Sequence, residues 1–245
     1  KHDFFLTVLF TNGIGIHSID FKRYKIKPAM AFMLSPGQTH NWTLSKDIDG
    51  YIFFHTKNFY DKASVTSVKN FPFFNSIYNP PHVSVTHYKK VTALFAEIKN
   101  EYESNNPLKF QKLHALVTLV YIELSRSYKE KKIPENQNYL FKVRQLEDLI
   151  DANFKSIKQA HEYAALMAIS EKHLNRISKI CLNKTTTDLI TDRIILEAKR
   201  ELTHSKHSVS EVAEKLGYMD NSYFARLFKK STKQTPLEFM KKNRY

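Results

Sequence analysis

Apolar positions fall in short strand-like runs over the first third of the chain and recur at helical spacing after it. HDFFLTVLF at 2–10, IHSIDF at 16–21, AMAFMLS at 29–35, NWTL at 41–44 and YIFFHT at 51–56 are rich in aromatic and β-branched residues. That composition fits a half-buried pleated surface, so each run is predicted to be a strand. Turns are marked by GIG at 13–15, Lys27-Pro28, Pro36-Gly37 and Asp47-Ile48-Asp49-Gly50. Short strands at this spacing predict a small barrel or sandwich over 1–85, closed by the aromatic stretch FPFFNSIYNPP at 71–81.

The period changes near residue 88. Val91, Leu94, Phe95, Ile98 and Tyr102 form one helical stripe; Leu113, Leu116, Val117, Val120, Tyr121 and Leu124 form another. Asn106-Pro107 reads as an N-cap followed by proline at the first helical position, and Lys129, Lys131 and Lys132 suit a helix C-terminus. These helices either cover the β unit or pair two protomers; the pattern accommodates both. KIPENQN at 132–138 is polar and aperiodic, which suits a linker.

From Leu140 the chain reads as helical and contains an internal repeat. EYAALMAISEKHLNRISK (162–179) aligns with EVAEKLGYMDNSYFARLFKK (211–230), with one inserted residue at Met219. Ala164 matches Ala213, Ala168 matches Gly217, Leu174 matches Phe224 and Arg176 matches Arg226. A helix-turn-helix needs each of these types: a small residue where the helices touch, a turn residue, a cap and an apolar anchor. Ser170 is the cap expected in the first unit, and Asp220 or Asn221 in the second. Between the units, Ile190, Ile194, Ala198 and Leu202 predict one amphipathic helix over Thr187–His204. Ser208-x-x-Glu211 and Thr235-Pro236-x-Glu238 are capping boxes.

The repeat places Lys172, Asn175 and Arg176 on one exposed arc of the first second-helix, and Asn221, Ser222, Tyr223 and Arg226 on the other. These are candidate DNA contacts, with Lys229 and Lys230 as candidate phosphate contacts. Solvated arginines are the bland alternative, but matching positions in two such helices favour DNA.

The string GYMDNSYFARLFKKSTKQTPLEFMKKNRY at 217–245 resembles the C-terminal signature of the AraC/XylS family of bacterial transcription regulators. ISEKHLNRISK at 169–179 and TTTDLITDRIILEAKREL at 185–202 resemble that family's first unit and linker helix. HDFFLTVLFTNGIG and IKPAMAFMLSPGQTHNW resemble its cupin-like sensing domain. Glu171 and Thr186 stand where the family pattern has proline. The fold class this implies is α+β in two domains. A small cupin-like β-barrel is followed by two helices, then an all-α domain carries two helix-turn-helix units joined by a long helix. The domains are 1–131, with candidate dimerisation helices at about 88–131, a linker at 132–139, and 140–245. The resemblance implies an activator that binds double-stranded promoter DNA, answers to a small-molecule effector and contacts RNA polymerase; a homodimer is expected from the apolar stripes of the helices at about 88–131.

The net charge of +14 permits a polyanionic partner without locating it. Residues 1–139 hold 18 basic and 11 acidic side chains, and residues 140–245 hold 20 and 13, so both parts carry the same excess. Cys181 stands alone and, between Ile180 and Leu182, is expected to be a buried packing thiol. No run is long enough for a membrane span and no signal peptide opens the chain, so a cytoplasmic protein is expected. The chain begins inside a strand-like run, from which an upstream segment is expected. His2, His17, His40 and His55 do not form a metal set, and no nucleophile, phosphate loop or paired carboxylates stand out; no metal, cofactor or catalytic activity is expected. Phe32, His40, Trp42 and Phe53 are candidate effector-pocket residues, with plain core as the alternative. An assembly module or a cupin enzyme fused to a nucleic-acid module are the rival readings of the N-terminal half.

Overall fold

In the computed structural model, which describes residues 2–63, 67–74, 79–128 and 137–243, the aromatic run at the start forms the longest strand, β1 (Phe5–Asn12). Its residues from Phe5 to Phe10 are all buried, because both faces of its sheet are covered. It is followed by β2 (Gly15–Ile19), β3 (Lys22–Ile26), β4 (Met30–Leu34), β5 (His40–Leu44), β6 (Asp49–His55) and β7 (His82–Ser84). The ladders are antiparallel and make two sheets, ordered β6-β1-β4-β7 and β3-β2-β5. Leu6, Val8, Phe10, Ile19, Ile26, Phe32 and Leu34 fill the space between the sheets. No ladder joins the sheets among the described residues, so of the barrel or sandwich that the pattern predicts the structure takes the second form, two packed sheets, and the barrel that the resemblance implies is not closed. Two strands carry no clear sequence signal: β3 is an edge strand of sequence KRYKI, whose charges mask its pleat, and β7 is only three residues long.

A short helix, α1 (Lys57–Asp61), and a single 3-10 turn at Val68–Asn70 lead to α2 (Tyr88–Glu103) and α3 (Lys109–Ser127). These two cover the outer face of the four-stranded sheet. Val91, Phe95 and Ile98 of α2 and Leu113, Leu116, Val117, Val120, Tyr121 and Leu124 of α3 join Phe5, Leu9, Ala31 and Met33 in one core. The apolar stripe of α3 is therefore spent inside its own unit. Tyr102, at helical spacing with the α2 stripe, is exposed, beyond the edge of that core. One polar set lies inside: the buried Tyr121 hydroxyl is 2.7 Å from His55 Nε2 and 3.3 Å from Thr7 Oγ1. α3 starts two residues later than Asn106-Pro107 suggests. Its N-cap is Leu108, in the left-handed region at φ 60° and without a side-chain cap, while Asn106 N–H is taken by Ser104 Oγ.

The chain divides into the units Lys1–Lys131 and Lys132–Tyr245. The second opens with α4 (Gln137–Asn153), inside the end of the expected linker; residues 129–136, including Lys129, Lys131 and Lys132, lie outside the described residues. Then come α5 (Ala160–Leu166), α6 (Glu171–Leu182), α7 (Thr186–His204), α8 (Val209–Lys215), α9 (Asn221–Thr232) and α10 (Pro236–Asn243). The predicted spacer is α7, capped by Thr185 and Asp188 in a reciprocal pair. Its Ile190, Ile194, Ala198 and Leu202 are buried as the periodicity requires. It is also buried where charges stand, at Glu197 and Arg200, because α4, α5, α6, α8, α9 and α10 all pack on it. Arg193, Glu197 and Arg200 satisfy one another there, at 3.1 and 3.4 Å. Cys181 is half-buried rather than buried, beside an exposed Ile180. No described helix is long and apolar enough to cross a membrane.

Candidate nucleic-acid interface

Two copies of one local fold carry the candidate contacts. In the first, α5 is closed just past its C-cap Met167 by Ala168, which takes φ 52°; the Ile169 N–H then returns to the Ala164 carbonyl at 3.1 Å. In the second, α8 is closed just past its C-cap Leu216 by Gly217, at φ 81°, and Tyr218 N–H returns to the Ala213 carbonyl at 3.0 Å. This is the bonding expected of a helix closed by a left-handed residue. Ala164 and Ala213 are both buried at the helix crossings. Each second helix then restarts on a side-chain cap: Ser170 Oγ accepts from His173 N–H, and Asp220 Oδ1 accepts from Ser222 and Tyr223 N–H. Both helices are 12 residues long and end on a second left-handed residue, Asn183 in one and Lys233 in the other. Leu174 and Ile177, and Phe224 and Phe228, anchor them to the core, so the opposite faces look outward.

On α6, Lys172 and Arg176 are exposed. Arg176 donates through Nη2 to the Tyr139 hydroxyl at 2.9 Å and lies near His173 Nδ1 at 3.0 Å. Asn175 points elsewhere. Its Oδ1 accepts the Thr186 N–H at 2.9 Å, at the start of α7. It holds the α6–α7 corner, and the corner's serine, Ser178, lies 3.3 Å from Thr186 Oγ1. On α9, Asn221, Ser222, Tyr223, Arg226, Lys229 and Lys230 are all exposed. Asn221 Nδ2 donates to Ser210 Oγ across the helix pair, and Arg226 stands 4.0 Å from Asp220 Oδ2. Arg176 and Arg226 each lie six residues beyond their N-caps, Ser170 and Asp220.

Three residues of this region are not singled out by sequence reasoning. Lys179 is exposed and occupies in α6 the place that Lys229 occupies in α9, a match that the repeat contains. Tyr139, at the start of α4, falls in the stretch that reads as linker. Lys158 lies between α4 and α5, and burial pushes its ammonium down to about 8. Its Nζ donates to three carbonyls, those of Phe154 at 2.5 Å, Lys155 at 2.9 Å and Leu216 at 2.6 Å. No local pattern signals that contact, because its partners are 58 residues apart in the longest case.

Three of the four candidate pocket residues gather in the first unit, around a histidine that the pattern does not single out. The His17 ring lies 4.8 Å from Phe32, 5.3 Å from His40 and 5.2 Å from Trp42. His82 stacks on Phe32 at 5.4 Å. Phe53 does not belong there. It pairs with Thr7 and Phe32 pairs with Val8, so the two project from opposite faces of the sheet, and Phe53 packs on Phe95 of α2. Burial pushes His17 down to about 3, which keeps its ring neutral. The buried nitrogens His17 Nδ1, His82 Nδ1 and His2 Nε2 have no hydrogen-bond partner. Among the described residues no group of three or more His, Cys, Asp or Glu is placed to hold a metal ion.

Residues 163–242 match the family model described as a helix-turn-helix domain. Across 99% of its length the chain is 22% identical to the HTH-type transcriptional activator RhaR of Enterobacter sp. (strain 638), covering 86% of that protein. It is also 22% identical to the activator RhaS of an Escherichia coli O81 strain, over 96% of this chain and 84% of the relative. The chain is a distant homologue of the AraC/XylS regulators. It is accordingly a DNA-binding regulator with tandem helix-turn-helix units. A shorter stretch, 37% of the chain, is 33% identical to an HTH-type regulator of Pseudoalteromonas carrageenovora and covers 53% of it. Among solved structures, apo ToxT from Vibrio cholerae aligns over 99% of this chain and 90% of its own, at 11% identity and a TM-score of 0.49.

Proposed function

We propose that α6 and α9 enter successive major grooves of promoter DNA and that the first unit makes this binding responsive to a small molecule. The observation that carries the DNA reading is the equivalence of Arg176 and Arg226. Both are exposed and stand at one position of a duplicated, separately capped helix. Lys172, Arg176 and Lys179 form the α6 contact set, and Asn221, Ser222, Tyr223, Arg226, Lys229 and Lys230 the α9 set. Asn175 serves by positioning α6 on α7. The arginines suit guanine edges, and the lysines at the helix ends suit phosphates. The test is to select DNA from a random-sequence library with the full chain and footprint the selected site. Two protected segments about one helical turn apart, ~34 Å, are expected; one continuous short footprint would reject the two-groove reading.

For the first unit, the His17 cluster supports a ligand role over an inert assembly module. Unpartnered buried polar atoms are costly, and neutral imidazoles beside aromatic rings can donate to or accept from a bound molecule. A thermal-shift screen of metabolites on the full chain, repeated with His17→Phe, reads this directly. A metabolite that raises the melting temperature of the wild type alone is the expected result; a library with no such compound returns the reading to an assembly module. Homodimerisation belongs to the same proposal, on the outer face of α3, where Ala115, Leu119 and Ile122 are exposed at i, i+4 and i+7 spacing. Activation and contact with RNA polymerase follow from the resemblance to AraC/XylS regulators, and reporter expression from a selected site tests both.

A further inference from the structure

We infer that Lys158 and Gly217 form a joint that fixes the angular phase between the two recognition helices, so that α7 alone does not set it. The inference rests on the two-groove reading above. Lys158 belongs to the segment that enters the first helix-turn-helix, immediately before the α5 N-cap Gln159. Leu216 and Gly217 form the turn of the second. The ammonium has three protons, and they meet three carbonyls: Phe154 and Lys155 on its own side and Leu216 across the joint. Leu216 is the C-cap of α8, so the bond closes on one of the carbonyls that a helix end leaves open.

The approach is also one of backbone on backbone. A Cβ at Gly217 would lie 2.0 Å from the Lys155 carbonyl oxygen, closer than any side chain can come. The Tyr218 ring completes the cover, its centre 5.0 Å from Lys158 Nζ. On the other side, Phe154 is clamped beneath the Arg193 guanidinium of α7 at 4.0 Å, and Arg193 Nε donates to Asp151 at 2.8 Å. The second half is thus attached to the first twice, once through α7 and once through 154–158. A single helical tether fixes a distance but leaves rotation about its axis soft; a second attachment removes that freedom. Burying the ammonium opposes its hydrogen bonds, so the joint supplies geometry more than stability.

The experiment uses the full chain and the site it selects from a random library, with matched sites carrying one inserted base pair between the half-sites. One base pair turns the second half-site by about 35°, given 10–10.5 base pairs per turn. Wild type is expected to lose about tenfold in affinity on insertion, as a rigid pair must. Lys158→Met and Lys158→Gln are expected to bind the natural spacing several-fold more weakly and to lose less than about threefold on insertion. Circular dichroism on both variants confirms the fold. If either folded variant keeps the wild-type penalty for the inserted pair, the joint does not set the phase and the inference is overturned. If the wild type selects only one half-site, the two-groove reading fails first and takes the inference with it.

Discussion

Ala168 and Gly217 hold the same left-handed turn position, φ 52° and φ 81°, in the two copies of one motif. In each copy the next N–H returns to the alanine of the preceding helix, Ala164 or Ala213. The duplication therefore survives in the backbone where it has been lost in the side chain. An alanine in this region costs about 1–2 kcal/mol that a glycine does not.

Ala168→Gly should stabilise the chain by roughly 0.5 kcal/mol, the strain relief less the extra backbone entropy of glycine. The reverse change, Gly217→Ala, should destabilise by about 2 kcal/mol or more, because it adds the same strain and a clash with Lys155. Urea unfolding of both variants measures the difference, and effects of equal size and opposite sign would show that the close approach of Lys155 adds no constraint at Gly217.

Arg226→Ala and Arg176→Ala should each cost about 1–3 kcal/mol and relax the preference at one base pair. Lys230→Ala should weaken selected and random DNA alike and flatten the salt dependence. Titrations on both DNA types separate these behaviours; equal losses on both types for an arginine would make it a backbone contact.

Ile194→Pro, placed at a buried turn of α7, should cost about 3 kcal/mol or more, through a lost backbone donor and a clash with the preceding turn. Footprints should then shrink from two grooves to one. Protection that stays complete would mean that the halves are held together without α7.

The first unit should be acid-sensitive. In the folded chain His17 is pushed from 6.5 to about 3, so between those values the unfolded chain binds a proton that the folded one refuses. Its contribution is fully present above about pH 6.5 and is lost as pH falls toward 3. His40 and His82, both lowered by burial, act in the same direction. Unfolding measured from about pH 7 to about pH 4 should show the slope, and His17→Leu should reduce it.

Charge placed on α3 should act according to face. Leu116→Glu and Val120→Glu should destabilise the first unit, since both side chains lie in its core. Leu119→Glu and Ile122→Glu should leave it folded and abolish self-association in sedimentation. A chain that still pairs with both outer residues charged would move the dimer contact off this face.

Periodicity and capping residues make the all-α half legible: α7 lies within a residue of its predicted start, and both turn positions follow from the repeat alone. What stays hidden depends on contacts distant in sequence. Phe53 and Phe32 sit in similar aromatic runs, and only the register between β1, β4 and β6 sends them to opposite faces. Asn175 has the helical arc of a base reader, but a backbone N–H eleven residues on claims its oxygen. His17 becomes visible only when β2 and β5 pair and bring His40 and Trp42 beside it.

The bond from Asn175 to Thr186 bears on how such a regulator changes its target over evolutionary time. A residue that holds a corner cannot be exchanged freely, since its loss would leave a backbone donor unpaired as α7 begins. On the proposed reading, new operator preferences at the first half-site must be found through Lys172, Arg176 and Lys179. On α9 the equivalent position is Ala225, whose methyl side chain can make no such bond, and Ser222, Tyr223, Arg226, Lys229 and Lys230 are exposed. Drift in the recognised sequence should therefore run faster at the second half-site than at the first, and a set of diverged operators would carry that asymmetry in their base composition.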